Sequence, residues 1–290
     1  MLQLVVNGLL LGGLYAVVAM GFTLQYGVMN VLNVAHGAFI MLGAYATYWA
    51  FVYLRLDPFL GAVLAGVVLY FIGYLTQRIL INRVISTGIF MVMLLTFGLD
   101  MVVTNAGLLA WSADYRAINP PYAGTRIELG SVAVPVIRLG VLVAAGALTG
   151  GLFLFMNRTM LGRAIQAVAL NKYAAELVGI DLNRIFQIAF GLGSALAGVA
   201  GGLLATVYTF SPQLGAAWVT KAFVITVLGG LGNMTGAILG AIVLGLAEVL
   251  GAQIIGPSYS QLVGFVLMVV ILVVRPQGLV GKRFFAEVQL

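Results

Sequence analysis

Of the 290 residues, 62% are hydrophobic and 8% charged, against roughly 25% charged in soluble domains, which excludes a water-soluble globule and gives a polytopic membrane protein. The net charge of +6 is spread too thinly for a nucleic-acid footprint, so no DNA or RNA partner is implied. Zero cysteines rule out disulfides and thiolate metal sites, and a single histidine rules out a histidine cluster.

A span needs about 20 apolar residues, and residues 4–27 and 33–54 each supply them. The start of the chain lacks a basic region and a small-residue cleavage site, so residues 4–27 are read as a first span and not as a removed leader. Residues 1–54 contain no Lys, Arg, Asp or Glu, so the turn at 27–32 is expected to sit at membrane depth. Asn30, Asn33, His36 and Gly37 fall in or beside that turn. Polar groups at such depth must meet protein or a water-lined cavity, and broken helices often line transport paths, which makes these residues candidates for a substrate path. His36 keeps two readings: a structural histidine bonded to a backbone carbonyl, or a wall of the path.

Third and fourth spans follow at 58–80 and 89–110, with Arg78 and Arg83 flanking the short connection. Asp100 lies in the middle of the fourth, and an intramembrane carboxylate is by default a site residue. Residues 111–134 form a polar loop whose Trp111, Tyr115 and Tyr122 suit an interfacial belt. A fifth span covers 135–157 and a sixth covers 185–208, the latter carrying Gly191, Gly193, Gly198, Gly201 and Gly202, a density that permits close helix contacts.

Between them lies one long polar interval, 158–184. Leu161, Ile165, Val168 and Leu177 recur at helical spacing while Arg163, Gln166 and Lys172 take other faces. Asn171 suits a helix N-cap and Gly179 a C′ position, which predicts a helix over about 161–170, a break at Asn171, and a second short helix ending before Gly179. Ala174 and Ala175 leave the second helix open to close approach by another protein.

If that interval is cytoplasmic, the inside carries nine cations, Arg78, Arg83, Arg158, Arg163, Lys172, Arg184, Arg275, Lys282 and Arg283. The outside carries four, Arg55, Arg116, Arg126 and Arg138, so the loop 111–134 and the N-terminus are external and the tail 275–290 cytoplasmic. Parity then sends residues 219–255 in and back again before a final span at 258–274. This predicts a re-entrant or short arm near 220–236, with its tip at Gly229, Gly230, Gly232, Asn233 and Gly236, and a full helix to about Gly251. Glu248, Arg138 and Lys221 are placed near outer interfaces, where their heads snorkel to water. The fold class is all-α, with about eight transmembrane helices in one transmembrane domain over 1–290.

The glycine run is not a phosphate loop: no G-x-x-x-x-G-K-[ST] occurs, so the chain is expected to bind no ATP itself. No acid pair or Ser/His/Asp arrangement supports an enzyme.

Gly162-Arg163-Ala164, then Asn171, Ala174-Ala175 and Gly179-Ile180, resemble the cytoplasmic coupling loop of ABC importer permeases, in particular the branched-chain amino acid permease family. Asn33-Val34-Ala35-His36-Gly37, Lys221-Ala222-Phe223 with the glycine run, and Arg275-Pro276-Gln277-Gly278-Leu279 resemble that family in the same order, over nearly the whole chain. The likeness is to the shorter, LivH type. It implies a second homologous permease, two ABC ATPase subunits that bind the ATP and dock at the coupling loop, and an extracytoplasmic substrate-binding protein, all at a prokaryotic inner membrane. The family more often carries a small polar residue at Asp100, so this acid either lines the path or faces the second permease. Urea or short amides are the alternative cargo within the family. A self-sufficient secondary transporter using Asp100 for ion coupling is the alternative outside it, although such a carrier has no use for a docking loop.

Overall fold

The computed structural model describes residues 1–129 and 132–281. Lys282 and Arg283, counted above among the cytoplasmic cations, lie outside the described residues. Among the described residues, eight helical stretches are long and apolar enough to cross a membrane. They are α1 (Leu2–Met29), α2 (His36–Leu54), α3 (Pro58–Thr76) with its continuation, α5 (Ile89–Trp111), α6 (Val136–Arg158), α9 (Leu182–Val207), α11 (Met234–Ile255), and α12 (Ser260–Val274) with the turn before it. The continuation of α3 runs through a π-helical turn, the single turn α4 (Asn82–Val84) and a 3₁₀ turn, so this span is longer than the sequence predicts. Shorter helices are α7 (Met160–Leu170), α8 (Lys172–Leu177) and α10 (Leu214–Gly229).

The loop expected at 111–134 contains an antiparallel hairpin, β1 (Arg126–Leu129) with β2 (Val132–Pro135), in which Ile127 pairs with Val134. Strands this short carry too little alternation to stand out from a polar loop.

α1 and α9 form the centre. Both are buried around most of their circumference, and α1, apolar on every side, shows no amphipathic period. α5 and α12 lie at the periphery and expose apolar side chains such as Val102, Leu109, Val266 and Val273, a surface suited to lipid or to another membrane protein.

Two ends are defined by contacts between loops. At one end Gln3 Nε2 donates to the Ala133 carbonyl at 3.1 Å, Tyr122 OH donates to Asp57 Oδ2 at 2.6 Å, and Arg116 and Phe210 exchange backbone hydrogen bonds of 2.8 and 2.9 Å. Arg116 also lies over the rings of Tyr48 and Trp49 at 5.3 and 5.0 Å. At the other end lie the helices α7 and α8, the α10–α11 turn and the tail. There the Leu279 N–H donates to the Leu228 carbonyl at 2.8 Å, and Asn233 Nδ2 to the Val280 carbonyl at 3.1 Å. Gln3, Asp57, Tyr122 and Phe210 thus share one end of the bundle, and Leu228, Asn233 and Leu279 the other.

The glycine run makes a tight hairpin between α10 and α11. Gly229 and Gly236 touch backbone to backbone, so a methyl group on either would collide with the other. Gly230 and Gly232 turn the chain at φ +106° and +78°, and Asn233 caps α11 by accepting from the Gly236 N–H at 2.9 Å.

Candidate functional site

The break between the first two spans is built from polar groups. α1 ends at Asn30, which takes φ 56° and donates its N–H to the Tyr26 carbonyl at 2.7 Å. Residues 30–35 then run non-helically back alongside α1, because His36 Nε2 meets the Val18 carbonyl at 3.0 Å and its ring packs edge-on against Phe22. At 1.5 Å per residue, Val18 lies on the order of 15 Å up α1 from its end, so α2 begins partway along α1 and inside the bundle. The sequence signal for a broken helix is realised there.

Gln25, one turn before the end of α1, organises the break. Its Nε2 donates to the Phe190 carbonyl at 3.1 Å and to Ser194 Oγ at 3.4 Å, while its Oε1 accepts from Asn33 Nδ2 at 2.8 Å. Gln25, Asn33, His36 and Ser194 are all buried. Two residues before Gln25, Thr23 shares a hydrogen bond of 2.9 Å with Thr226, and the Val34 N–H donates to Thr96 Oγ1 at 3.2 Å. Gly37 contacts the backbone of Gly215, which lets α10 cross the start of α2. Asn33 Oδ1 and His36 Nδ1 keep an open hydrogen-bonding valence. Asp100, half-buried on α5, faces the Ala38 amide in the first turn of α2. No side chain caps that turn, and the positive end of a helix favours a carboxylate. Thus Asn33, His36, Gly37 and Asp100 converge on the start of α2, whereas Asn30 is exposed at the end of α1.

A second polar centre departs from the sequence expectation. Lys221 and Glu248 do not reach out to an interface. Lys221 Nζ lies 2.7 and 2.8 Å from the two Glu248 oxygens and 2.7 Å from Tyr15 OH, and Tyr15 OH in turn donates to Glu248. The pair is retained within the bundle because each charge meets its opposite there, at 14% and 7% side-chain exposure. It ties α1, α10 and α11 together beside a cavity of about 230 Å³ lined by Thr220, Gln261 and Phe265. Two opposite charges in otherwise apolar helices are the one sequence signal that could have found it.

The polar interval folds as its punctuation predicts. Thr159 Oγ1 accepts from the Gly162 N–H at 3.0 Å and starts α7; Asn171 Oδ1 accepts from the Ala174 N–H at 3.0 Å and starts α8. Gly179, at φ +87°, ends α8 while the Ile180 N–H reaches back to the Ala175 carbonyl at 3.1 Å. Gly162 is buried against the last turn of α6, Arg163 is exposed and Ala164 is half-buried. Ile165 and Val168 face the bundle as predicted, but Leu161 and Leu177 are 42% and 70% exposed. Ala175 also differs from expectation: it is 3% exposed and seats α8 on its own chain, leaving Ala174 on the outer side. A helix this short offers no period from which to tell the two alanines apart. Lys172 Nζ donates to the Met29 carbonyl at 2.8 Å, and partial burial pulls its ammonium below the ordinary lysine range. Between α7, the end of α1 and the hairpin lies a cavity of about 220 Å³, lined in part by Thr23, Asn157, Gln166, Gly232 and Thr235.

These features define a multi-pass α-helical membrane protein with polar groups inside its bundle and a capped, partly apolar helix pair at one end. The chain belongs to the family described as the permease component of the branched-chain amino acid transport system, whose profile matches residues 4–272. It is 33% identical to the high-affinity branched-chain amino acid transport system permease protein BraD of Pseudomonas aeruginosa, covering 97% of this chain and 96% of that one. It is 29% identical to LivH, the corresponding permease protein of Escherichia coli, with 97% and 96% covered. A probable LivH of Methanocaldococcus jannaschii is 26% identical over 95% of this chain and 91% of the relative. No solved structure matches the chain.

Proposed function

We propose that the chain is the membrane permease of an ATP-driven importer for branched-chain or related hydrophobic amino acids. It sits in a prokaryotic inner membrane with its N-terminus outside and its C-terminal tail in the cytoplasm. ATP is bound and hydrolysed by two partner ABC ATPases, a second homologous permease completes the pathway, and an extracytoplasmic binding protein delivers substrate. The start of α2, with Asn33, His36, Gly37 and Asp100, is the part of the path that lies at membrane depth, and the open valences of Asn33 and His36 support that role.

The observation that carries this reading is the outer surface of α7 and α8. Met160, Leu170, Tyr173, Leu177 and Val178 are between 70% and 84% exposed on helices fixed at both ends by caps. Apolar residues that face neither the bundle nor a membrane span need a protein partner, and a rigid short helix transmits a partner's rigid-body shift where a slack loop would not. The test is the complex reconstituted with its ATPases and binding protein. Tyr173→Asp with Leu177→Asp should lower substrate-stimulated ATP hydrolysis and leucine uptake together by at least about tenfold, as expected for loss of docking energy. Full stimulation in that variant, with the ATPases still bound, would show that they do not dock there.

A further inference from the structure

α8 reaches the spans through a single polar contact. Lys172 is its first residue, and its Nζ donates to the carbonyl of Met29, the last residue of α1, at 2.8 Å. The charged head also lies 5.4 Å from the centre of the Phe186 ring, near the start of α9. Among the described residues this is the one side-chain hydrogen bond from α7 or α8 to α1, since Gln166 bonds only to the end of α6. The last carbonyls of a helix have no intrahelical donors and carry partial negative charge, so a lysine there satisfies both needs.

What lies directly beyond Met29 gives the contact its meaning. Asn30 opens the break, and Asn33 is bonded to Gln25 only one turn back from the end of α1. A displacement of that last turn therefore displaces the Gln25–Asn33 bond, and with it the start of α2. The other anchor of α8, Ala175, is an apolar contact that can slide; a hydrogen bond to a fixed carbonyl cannot slide without breaking.

We infer that Lys172 is the coupling strut of this permease: it carries movement of the α7–α8 pair into α1 and so into the break at residues 30–35. This inference rests on the importer reading above, and the ATPases' own activity keeps the two separable. The docking variant fails in ATP hydrolysis itself, whereas loss of the strut leaves docking and hydrolysis in place and breaks their connection to transport.

The experiment measures leucine taken up per ATP hydrolysed in the reconstituted complex. Lys172→Met should lower that ratio at least tenfold while ATPase binding and hydrolysis stay within about twofold of wild type. Lys172→Arg, which keeps a cationic donor, should restore most of it. Phe186→Leu, which removes the ring and keeps the bond, should change the ratio less than Lys172→Met does. If Lys172→Met does not assemble, the same ratio is read on Lys172→Gln. A wild-type ratio in the assembled Met or Gln variant overturns the strut and leaves the importer reading standing. A wild-type complex that takes up leucine without ATP overturns both.

Discussion

Lys221 on α10 and Glu248 on α11 form an ion pair at 2.7 Å inside the bundle, and Tyr15 of α1 bonds both of them. Removing one partner strands a charge, whereas removing both strands none. Lys221→Met is expected to destabilise the protein by about 3–5 kcal/mol, and the double variant Lys221→Met with Glu248→Leu by much less. Thermal unfolding of the four proteins in detergent gives the coupling energy directly. Additive losses would show that the pair is not energetically joined.

Gly37 and Gly215 meet backbone to backbone, so a side chain at either must push α2 and α10 apart. Gly37→Leu should therefore lose folded protein, and it reports on packing and not on the path. Asn33→Ala is the cleaner probe. It leaves Gln25 Oε1 without a donor, at a cost of about 1–3 kcal/mol, while the bundle keeps its shape. The protein should insert and assemble, with a lowered melting temperature and reduced uptake. Wild-type uptake in Asn33→Ala would remove the break from the path.

Tyr122 donates to Asp57, which itself accepts from the Phe59 N–H at the start of α3. Burial, and then the neighbouring carboxylate, hold the Tyr122 phenol above its ordinary range. A group whose folded pKa is raised contributes stability below its unfolded pKa and loses it as pH rises. The contribution should thus be complete at neutral pH and decline from about pH 10 upward. Tyr122→Phe is expected to be less stable than wild type at pH 7, with the gap closing above pH 10. A gap that widens with pH would reverse the sign of this account.

The two ends of the bundle give a topology that can be read by labelling. With Arg116 and Phe210 paired at one end and Leu279 and Leu228 at the other, cysteines placed at the exposed positions Ala113 and Arg275 should label from opposite sides. Impermeant reagent added to intact cells should reach only Ala113→Cys. Labelling of both positions would break the parity argument.

Local signals were legible in the sequence and long-range ones were not. Asn171 and Gly179 are caps whose geometry is decided within four residues, so the ends of α8 could be placed from the local sequence alone. The break before α2 was visible because polar residues interrupt an otherwise charge-free stretch. The partner of Lys221 was not visible, since 27 residues and a turn separate it from Glu248 and each charge alone reads as a snorkelling head. Gln25 escaped notice for a related reason: one amide in a long apolar run has no meaning until Asn33 and Ser194 are folded against it.

The tail has a consequence for how this protein is made. Leu279 and Val280 donate their N–H groups to the carbonyls of Leu228 and Gly229, at the mouth of the α10–α11 turn. Those donors are synthesised some fifty residues after the turn they close, and after the whole of α12. During synthesis the hairpin therefore waits unlatched beside α1, and its last hydrogen bonds form when the final span is in place. The order of translation thus makes residues 279 and 280 a late seal on the hairpin, and a ribosome that stops before residue 279 leaves that seal open.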